Sequence, residues 1–393
     1  MARFEPFRGT TYDPDRVLAA EVIAPPYDVV GPVERAILAA RSPYNAIHVE
    51  LPVGDGGTDP YTHAARLFDS WHEEEVVRVG AEPGFYVYRM TFRTEDGTVR
   101  STTGVLGALG IDPAEVLPHE ETTPKEKHDR LSLLRAARTN FSPIWGLSTA
   151  AGLAKALEST VGEAEPFAAT DDDGVLHESW PVTDAGEVDR IGALVGGTPV
   201  LIADGHHRYE TASTFHEEQP NLVASDSILA FVVELAEDQL AVQAIHRLLR
   251  GVNSEEFPSQ LEPWFDLEPT PATDPAELSK LMRNGGTLGL MTRAGSWLLR
   301  PKQQPAGEVD SVLLAAALSG LGVQDVVYQH GLAVTKAALD DGRAEAAVFL
   351  RPVPVSRIAR TARGDKRMAP KSTFFYPKPR TGMVFRELDP KLG

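Results

Sequence analysis

Cysteine is absent from all 393 residues, and basic residues are few beside acidic ones. The first absence excludes disulfides, thiol nucleophiles, cysteine zinc sites and cysteine-ligated clusters. The second leaves 38 Lys and Arg against 56 Asp and Glu, a formal net charge of −18. A surface this acidic repels nucleic-acid phosphates, and no run of five like charges supplies a basic tail. We therefore expect no nucleic-acid partner.

Long apolar runs are also missing. The longest uncharged stretches, such as residues 311–324, are too short to span a bilayer. Residues 1–9 lack the apolar region of a secretory signal. We therefore expect a cytoplasmic protein with no membrane partner. At about 150 residues per domain, the length suggests two or three domains, and no pattern bears on the oligomeric state.

Apolar periodicity and turn residues predict alternating helices and strands. The predicted helices are 32–40, 60–71, 123–138, 275–283 and 308–320. The predicted strands are 45–51, 85–92, 99–109, 142–147, 200–203, 228–235, 346–350 and, as a hairpin partner of 228–235, 238–242. Residues 150–190 are predicted to be an insertion or a β-ribbon, and 258–271 a loop. The pattern favours an α/β (α+β) fold with a mixed sheet in three regions, 1–82, 83–250 and 251–393.

The most informative stretch is Pro199–Ala212, with the sequence PVLIADGHHRYETA. It predicts a buried strand that breaks at Asp204 and Gly205 and restarts as a helix near Arg208. The free N–H groups at a helix start attract anions. A guanidinium can bind two phosphate oxygens at once, and Gly205 lets the backbone approach a ligand closely. The turn is therefore a candidate phosphate site.

A purely structural interpretation of this turn stays open. Asp-Gly between a strand and a helix is also ordinary turn chemistry. His206 and His207 are adjacent, so their rings point in different directions, whereas a helical zinc pair is spaced i, i+4. The histidines by themselves therefore do not indicate a metal.

A second group of polar residues precedes the helix predicted at 123–138. Thr123, a proline and Glu126 form a capping box. Glu120 lies three residues before this cap and follows His119. Lys127 and Arg130 are spaced i, i+3 and could reach a common anion, or could simply form a solvated face. Likewise Glu121 could serve only the cap.

Together, the two groups supply what phosphoryl transfer to an alcohol requires. Such a reaction depends on positioning and charge neutralisation, and a carboxylate such as Glu120 can accept the hydroxyl proton. Asp204, beside the phosphate turn, could hold Mg²⁺ through one carboxylate. A water nucleophile instead of an alcohol would make the protein a phosphatase or a nuclease.

The chain resembles the domain-of-unknown-function 1015 family along its whole length. The shared pieces are Ala24–Val29, His119-Glu120 with Lys127 and Asp129-Arg130, Ser142–Ile144, Ala203–Tyr209, Met368–Lys378 and Thr381-Gly382. Residues 117–245 also resemble the ParB-like free-serine kinases, which phosphorylate L-serine with ADP or ATP. This resemblance implies a ParB/sulfiredoxin-like core in 83–250. Sulfiredoxin chemistry itself is excluded because the chain has no cysteine.

The kinase resemblance implies roles for particular residues. It implies a catalytic base at Glu120 and a nucleotide-phosphate loop at 204–208. With the reasoning above, the predicted catalytic residues are Glu120, Asp204 and His206. The predicted phosphate or nucleotide contacts are Gly205, His207, Arg208, Lys127 and Arg130, and the predicted Mg²⁺ ligand is Asp204.

We therefore expect a nucleotide-dependent small-molecule kinase that uses ATP or ADP with Mg²⁺ and acts on the hydroxyl of serine or a similar metabolite. A non-catalytic regulator that binds a nucleotide or phosphometabolite is the main alternative. Three further features stay open. His246-Arg247 could line the same cleft or be structural, Lys371–Thr373 with Lys378 could add an anion contact, and Asp28 could be a turn cap.

Overall fold

The computed structural model describes residues 2–94, 97–117, 124–161, 165–303, 309–363 and 373–389, without the side chains of 124–126, 359 and 361–363. The chain divides into two compact units. The first contains Met1–Leu240 together with Pro377–Gly393, and the second is Ala241–Tyr376. The three-region division of the sequence stays a prediction. Among the described helices, none combines the length and apolar composition needed to cross a bilayer.

Helices and strands alternate along most of the chain. The strands are β1 Phe4–Glu5, β2 Thr10–Tyr12, β3 Val77–Val79, β4 Phe85–Arg93, β5 Val99–Gly110, β6 Val116–Leu117, β7 Thr139–Asn140, β8 Ile144–Ser148, β9 Phe167–Thr170, β10 Leu176–Val182, β11 Val200–Asp204, β12 Ser227–Glu234, β13 Ala241–Gln243, β14 Ile245–Leu249, β15 Phe265–Thr270, β16 Leu288–Thr292, β17 Gly295–Pro301, β18 Val326–His330, β19 Ala346–Phe349, β20 Phe374–Tyr376 and β21 Arg386–Glu387. The α-helices are α1 Ala19–Val22, α2 Pro32–Arg41, α3 Ile47–Glu50, α4 Pro60–Glu73, α5 Pro124–Ala137, α6 Leu153–Val161, α7 Ala185–Gly196, α8 His206–Glu218, α9 Phe257–Gln260, α10 Pro275–Gly285, α11 Asp310–Gly320, α12 Leu332–Asp340 and α13 Val355–Arg363.

A nine-stranded mixed sheet organises the first unit. Its strand order is β6-β11-β8-β12-β5-β4-β10-β9, with β1 paired to β5. β11 runs parallel to β6 and antiparallel to β8, and β12 runs parallel to β8. The remaining pairings are antiparallel. The predicted mixed α/β fold is confirmed.

The central strands are buried because their sequences are continuous apolar runs. Every residue of β8 is buried, and so is β12 up to its last residue. Such runs are typical of strands covered on both faces. α6, α7 and α8 contribute Leu157, Ile191 and Tyr209 to the same core. In β11, which carries Asp204, the four residues before Asp204 are all buried.

The second unit is built on an entirely antiparallel sheet of six strands, in the order β15-β17-β16-β19-β14-β18. Two apolar clusters lie within this unit. One includes Phe257, Phe265 and Leu314, and the other includes Leu278, Met282 and Phe349. β13 and β20 form a separate two-stranded pair.

One predicted strand is wrong. Residues 45–51 contain a short helix, α3, where alternating apolar residues predict a strand. Asn45 decides the outcome, because its Oδ1 accepts a hydrogen bond from Ile47 N at 2.9 Å. Asparagine side chains commonly start turns in this way. The consequence for the site is that Glu50 lies at the end of a buried helix rather than on a strand.

Two further predictions are corrected. Residues 238–242 do not return as a hairpin partner of β12, because β12 already has β5 on one side and β8 on the other. Residues 258–271 are not only loop, since they include β15 at the edge of the second sheet. Pro269 is tolerated there because an edge strand needs fewer ladder hydrogen bonds. Residues 150–190 include the β9–β10 ribbon, which extends the first sheet.

Candidate functional site

The turn after β11 joins a strand directly to a helix. β11 ends at Asp204, and α8 begins at His206. Gly205 between them has a φ of +93°, and an added Cβ would lie 2.9 Å from Ile144 Cγ2. Only glycine suits both conditions. Gly205 is the N-cap residue of α8 and makes no side-chain hydrogen bond to the first turn. The backbone N–H groups at a helix start of this kind can bind an anion.

Two cations hold the Asp204 carboxylate. Lys378 Nζ forms an ion pair with Oδ1, although it lies 174 residues further along the chain. Arg208 Nη2 donates to Oδ2 at 3.1 Å. Burial raises the pKa of Asp204, but the charges of Lys378 and Arg208 outweigh burial and lower this pKa to about 2. The carboxylate therefore stays ionised near neutral pH.

Arg208 makes its hydrogen bonds to the turn and to the residues just before β8. Besides Asp204, its guanidinium donates through Nη1 to Ser142 Oγ at 3.0 Å and to the Pro143 carbonyl at 2.5 Å. Its Nε is buried and has no hydrogen-bond partner among the described residues. The side chain is 10 % exposed. Arg208 thus ties α8 to the start of β8, while its Nε–H stays without an acceptor among the described residues.

An aromatic ring lies over two guanidinium groups. Arg130 Cζ is 4.1 Å from the ring centroid of Tyr27, and Arg208 Cζ is 5.9 Å from it. These distances are within the range of cation–π attraction. Burial raises the pKa of Tyr27 to about 12, although the Arg208 charge opposes this rise. The phenol therefore remains neutral, and the ring covers one side of the cationic group.

A buried carboxylate completes this arrangement. Glu50 is 1 % exposed, and its Oε1 accepts from Ser142 Oγ at 2.8 Å and from Tyr27 N at 3.4 Å. Arg130 Nη1 donates to the Glu50 carbonyl at 2.7 Å. Glu50, Arg130, Ser142 and Arg208 line a cavity of about 50 Å³. That volume suits about one or two water molecules.

Three residues of this cluster were missed or given little weight by sequence reasoning. Tyr27 falls in a proline-rich turn, Glu50 in a segment predicted as a strand, and Lys378 in the tail, as a further anion contact. For Tyr27 and Lys378, the available signal was the set of short pieces shared with the family. Ala24–Val29, Ser142–Ile144 and the tail all reach Arg208 or its partner Asp204.

The two predicted cations on α5 have different partners. Lys127 is 41 % exposed and pairs with Glu210 on α8. Arg130 is 5 % exposed and donates to the Asp129 carboxylate at 2.9 Å as well as to Glu50. Tyr61 also donates its hydroxyl to Asp129 at 2.9 Å. Only Arg130 of the two therefore belongs to the buried cluster around Tyr27.

The two histidines of the turn differ in environment. His206 is buried and His207 is half-buried. Within the described ranges, no three His, Asp or Glu side chains are grouped so that they could hold a metal ion. Both histidines lie in the first turn of α8, where their N–H groups contribute to the helix start.

Some predicted residues lie outside the described part of the chain, namely His119, Glu120, Glu121, Thr123, Lys371 and Ser372. The side chain of Glu126 is likewise not described. The strand before Glu120 is described, however. Val116 and Leu117 of β6 pair in parallel with Val200 and Leu201 of β11. Parallel neighbours leave a sheet at the same edge, so β6 ends at the edge where the Asp204 turn begins.

His246 and Arg247 have partners within the second unit. His246 lies in the second unit, where Nδ1 accepts from Leu350 N at 3.2 Å. Arg247 Cζ is 4.3 Å from the Tyr328 ring. Asp28 belongs to the 3₁₀ turn Tyr27–Val29 of the first unit.

The chain matches the model of a known protein family. The model of the family described as "Protein of unknown function (DUF1015)" matches residues 4–323, so the protein belongs to this family. No curated protein matched the sequence.

Several solved structures are similar to the chain at low identity. A conserved hypothetical protein from Pyrococcus furiosus is 11 % identical, with a TM-score of 0.38 over 72 % of this chain and 95 % of that one. SbnI from Staphylococcus aureus, with a C-terminal truncation, is 11 % identical, with a TM-score of 0.40 over 70 % and 85 %. A free serine kinase in complex with AMP is 14 % identical, with a TM-score of 0.37 over 69 % and 86 %.

Proposed function

We propose that the protein is a nucleotide-dependent small-molecule kinase that transfers a phosphoryl group to the hydroxyl of serine or a similar metabolite. The observation that carries this proposal is the turn between β11 and α8. An uncapped helix start, a left-handed glycine and two cations on Asp204 are combined there within one short segment. This combination suits a phosphate group better than it suits a purely structural turn.

The contacts of Arg208 refine its proposed role. Its two terminal nitrogens already bind Asp204, Ser142 and Pro143, so its main role is to position the turn, and its Nε–H has no acceptor among the described residues. The phosphate contacts then fall to the first N–H groups of α8 and to Lys378. The Lys378 ammonium can exchange Asp204 for a phosphate oxygen by a small rotation, because a lysine side chain is flexible. In the absence of a phosphate, the Asp204 carboxylate holds this ammonium in place.

Glu120 is the proposed general base. It would accept the proton of the acceptor hydroxyl as the oxygen attacks the terminal phosphorus and the bond to the leaving phosphate breaks. The parallel pairing of β6 with β11 supports this role, because the chain leaves β6 three residues before Glu120, at the edge of the sheet that carries Asp204.

The described residues do not fit a Mg²⁺ ion held by Asp204. Each carboxylate oxygen already has a cationic partner, and a metal ion would have to displace Lys378 or Arg208. We therefore assign no step to a metal held at Asp204. Mg²⁺ that accompanies the nucleotide would be bound by the phosphate oxygens themselves.

The same ion pairs support a second candidate function. A turn whose charges are mutually neutralised can bind a nucleotide or phosphometabolite without turning it over. In that case the protein is a regulator, and Glu120 is structural. The two functions differ in a single measurable quantity, the transfer of phosphate to an acceptor.

The test combines calorimetric binding of ATP and ADP with a phosphate-transfer assay over a panel of hydroxy amino acids. Arg208→Ala should weaken nucleotide binding about tenfold or more, since it removes the hydrogen bonds that position the turn for the ligand. Glu120→Gln should leave binding intact and slow transfer by about 10²–10⁴-fold, the usual contribution of a general base. Glu121→Gln, one residue away, is the matched control and should behave as wild type.

Circular dichroism checks that each variant is folded. Binding without transfer to any acceptor supports the regulator and overturns the kinase. If neither nucleotide binds, or if both variants match wild type, the phosphate site itself is wrong.

A further inference from the structure

A closed network of hydrogen bonds holds Arg380, two residues beyond Lys378, and no part of the proposed reaction uses it. The backbone N–H of Arg380 donates to Tyr88 Oη at 3.0 Å, and its Nε donates to Asp171 Oδ2 at 2.8 Å. His177 joins these two acceptors, with Nδ1 2.7 Å from Tyr88 Oη and Nε2 2.9 Å from Asp171 Oδ2. This Arg380 network, formed by Tyr88, Asp171, His177 and Arg380, therefore begins and ends at the same residue.

The network has one consistent arrangement of protons. Burial raises the pKa of Asp171, but the hydrogen bond from His177 and the charge of Arg380 outweigh burial and lower this pKa below its ordinary value. Burial also lowers the pKa of His177, so its imidazole is neutral near neutral pH. Because an ionised carboxylate can only accept, His177 donates from Nε2 and accepts at Nδ1 from the Tyr88 hydroxyl. The Tyr88 oxygen in turn accepts from Arg380, so each hydrogen bond has one donor and one acceptor.

The partners of Arg380 are attached to the first sheet. Tyr88 lies on β4 and His177 on the neighbouring β10, and both are fully buried. Asp171 directly follows β9, and its Oδ1 accepts from two backbone N–H groups of the same turn at 2.9 Å. Side chains held by strand pairing and by a tight turn are rigid anchors. Arg380, which is 9 % exposed, is thus fixed through both its backbone and its guanidinium.

The position of the Lys378 backbone follows from that of Arg380. Two residues span at most about 7 Å, so an anchored Arg380 restricts where the Lys378 ammonium can reach. Beyond Arg380, Thr381 exchanges two backbone hydrogen bonds with Ala24, at 3.0 and 2.8 Å. In the sheet, β8, β12 and β5 separate β11, which carries Asp204, from β4. The segment that carries Lys378 is therefore anchored on strands that are not neighbours of β11.

We infer that Arg380 is a positioning residue for Lys378, and that the other three residues of the network act through Arg380. The inference rests on the proposed function in one respect, since Lys378 is proposed to contact phosphate. An anchored backbone leaves only side-chain rotamers to be ordered when a ligand binds, which lowers the entropic cost of binding. The Arg380 guanidinium donates to Asp171 and, from Nη2, to Asp173 Oδ2 at 3.2 Å, so its role is to position and not to contact the ligand.

The first test observes Lys378 itself, by NMR of the full chain with isotope-labelled lysine. The signal that is missing from Lys378→Gln is assigned to Lys378, and Asp204→Asn gives its position when the ion pair is absent. Arg380→Gln should move this signal at least halfway to its position in Asp204→Asn. Tyr88→Phe removes only the acceptor of the Arg380 N–H, so it retains the fold and should move the signal in the same direction by less.

Arg386 supplies a matched control in the same C-terminal segment. It is also buried, and it donates to Asn140 Oδ1 at 3.0 Å and to Ser227 Oγ at 2.7 Å. Arg386→Gln therefore removes a buried guanidinium with several hydrogen bonds, as Arg380→Gln does. It should destabilise the fold and leave the Lys378 signal where it is in wild type.

A double-mutant cycle in ATP binding separates positioning from stability. By calorimetry, Arg380→Gln should weaken ATP binding about three- to tenfold, the cost of ordering a long side chain that is no longer held in place. In a Lys378→Gln background, Arg380→Gln should have no further effect. A residue with a merely structural role would weaken binding equally in both backgrounds.

The inference is overturned if the Lys378 signal is unchanged in both Arg380→Gln and Tyr88→Phe, or if Arg386→Gln moves it equally. It is also overturned if Arg380→Gln weakens ATP binding to the same extent with and without Lys378. If wild type binds no ATP, the proposed nucleotide site fails, and the NMR comparison still decides whether Arg380 positions Lys378.

Discussion

The ion pair between Asp204 and Lys378 offers a direct test of how the turn is held together. Asp204→Asn leaves the Lys378 ammonium 9 % exposed and without its carboxylate, and it also removes one partner of Arg208. Loss of one member of a buried ion pair typically costs about 3–5 kcal/mol. We expect the free energy of unfolding of Asp204→Asn to fall by about that amount.

The double-mutant cycle isolates the pair. Lys378→Gln keeps the contact of Asp204 with Arg208 and should cost about 1–3 kcal/mol. In the double variant neither charge is stranded, so the combined loss should be smaller than the sum by about 1–3 kcal/mol. Urea denaturation followed by circular dichroism measures each value.

An exposed pair in the same unit supplies the control. Arg135 and Glu218 are bonded at 2.8 Å through Arg135 Nε, but both side chains are at least a third exposed. Glu218→Gln should therefore cost no more than about 1 kcal/mol. Losses at Asp204 and Lys378 that simply add, or a loss for Asp204→Asn as small as that for Glu218→Gln, would refute the reasoning.

Two other measurements address the turn and the second unit. Gly205→Ala should lower the free energy of unfolding by about 1–3 kcal/mol in thermal denaturation, because the new Cβ meets Ile144 in a strained backbone. Gly174→Ala has a φ of +74° with open space around it and should cost less; equal losses would contradict the clash. Burial, with Arg247 and His330, lowers the pKa of His246 to about 4, so this side chain stays neutral while the unfolded chain takes up a proton below pH 6.5. The free energy of unfolding should therefore fall by up to about 3 kcal/mol between pH 6.5 and 4, and less in His246→Gln; an unchanged slope in that variant would disprove this origin.

The Asp204 carboxylate should also make the free energy of unfolding depend on pH, but at a lower pH than His246 does. The pKa of Asp204 is below its ordinary value of 3.8, so its ionised form stabilises the fold above that pH. This stabilisation is lost as the pH falls from 3.8 toward 2.

Elements with long and regular patterns could be predicted from the sequence. The strands around Phe85–Arg93 and Val99–Gly110, and the helix that begins at Pro60, lie where periodicity and caps place them. Pro60 follows Asp59, whose side chain accepts from Tyr61 N and Thr62 N at 3.1 Å. These signals are local, so no tertiary contact is needed to interpret them.

Short segments could not be predicted in the same way. Residues 45–51 alternate like a strand, yet one asparagine side chain starts a helix there. β13 pairs with β20, and which strands pair depends on which sheet edges are already occupied. No local sequence pattern shows this. Strand pairing is a property of the whole fold, so the periodicity of one segment cannot predict it.

The same division applies to the candidate site. The sequence alone determined the strand, the glycine turn and the helix start at Asp204, because these follow from neighbouring residues and their backbone preferences. Only the tertiary structure decided that Lys378 neutralises Asp204, that Tyr27 covers two guanidinium groups, and that Glu50 is buried beside Ser142. Contacts between charges far apart in the chain depend on how the strands pair and the helices pack, and that arrangement is set by the cooperative burial of the whole core.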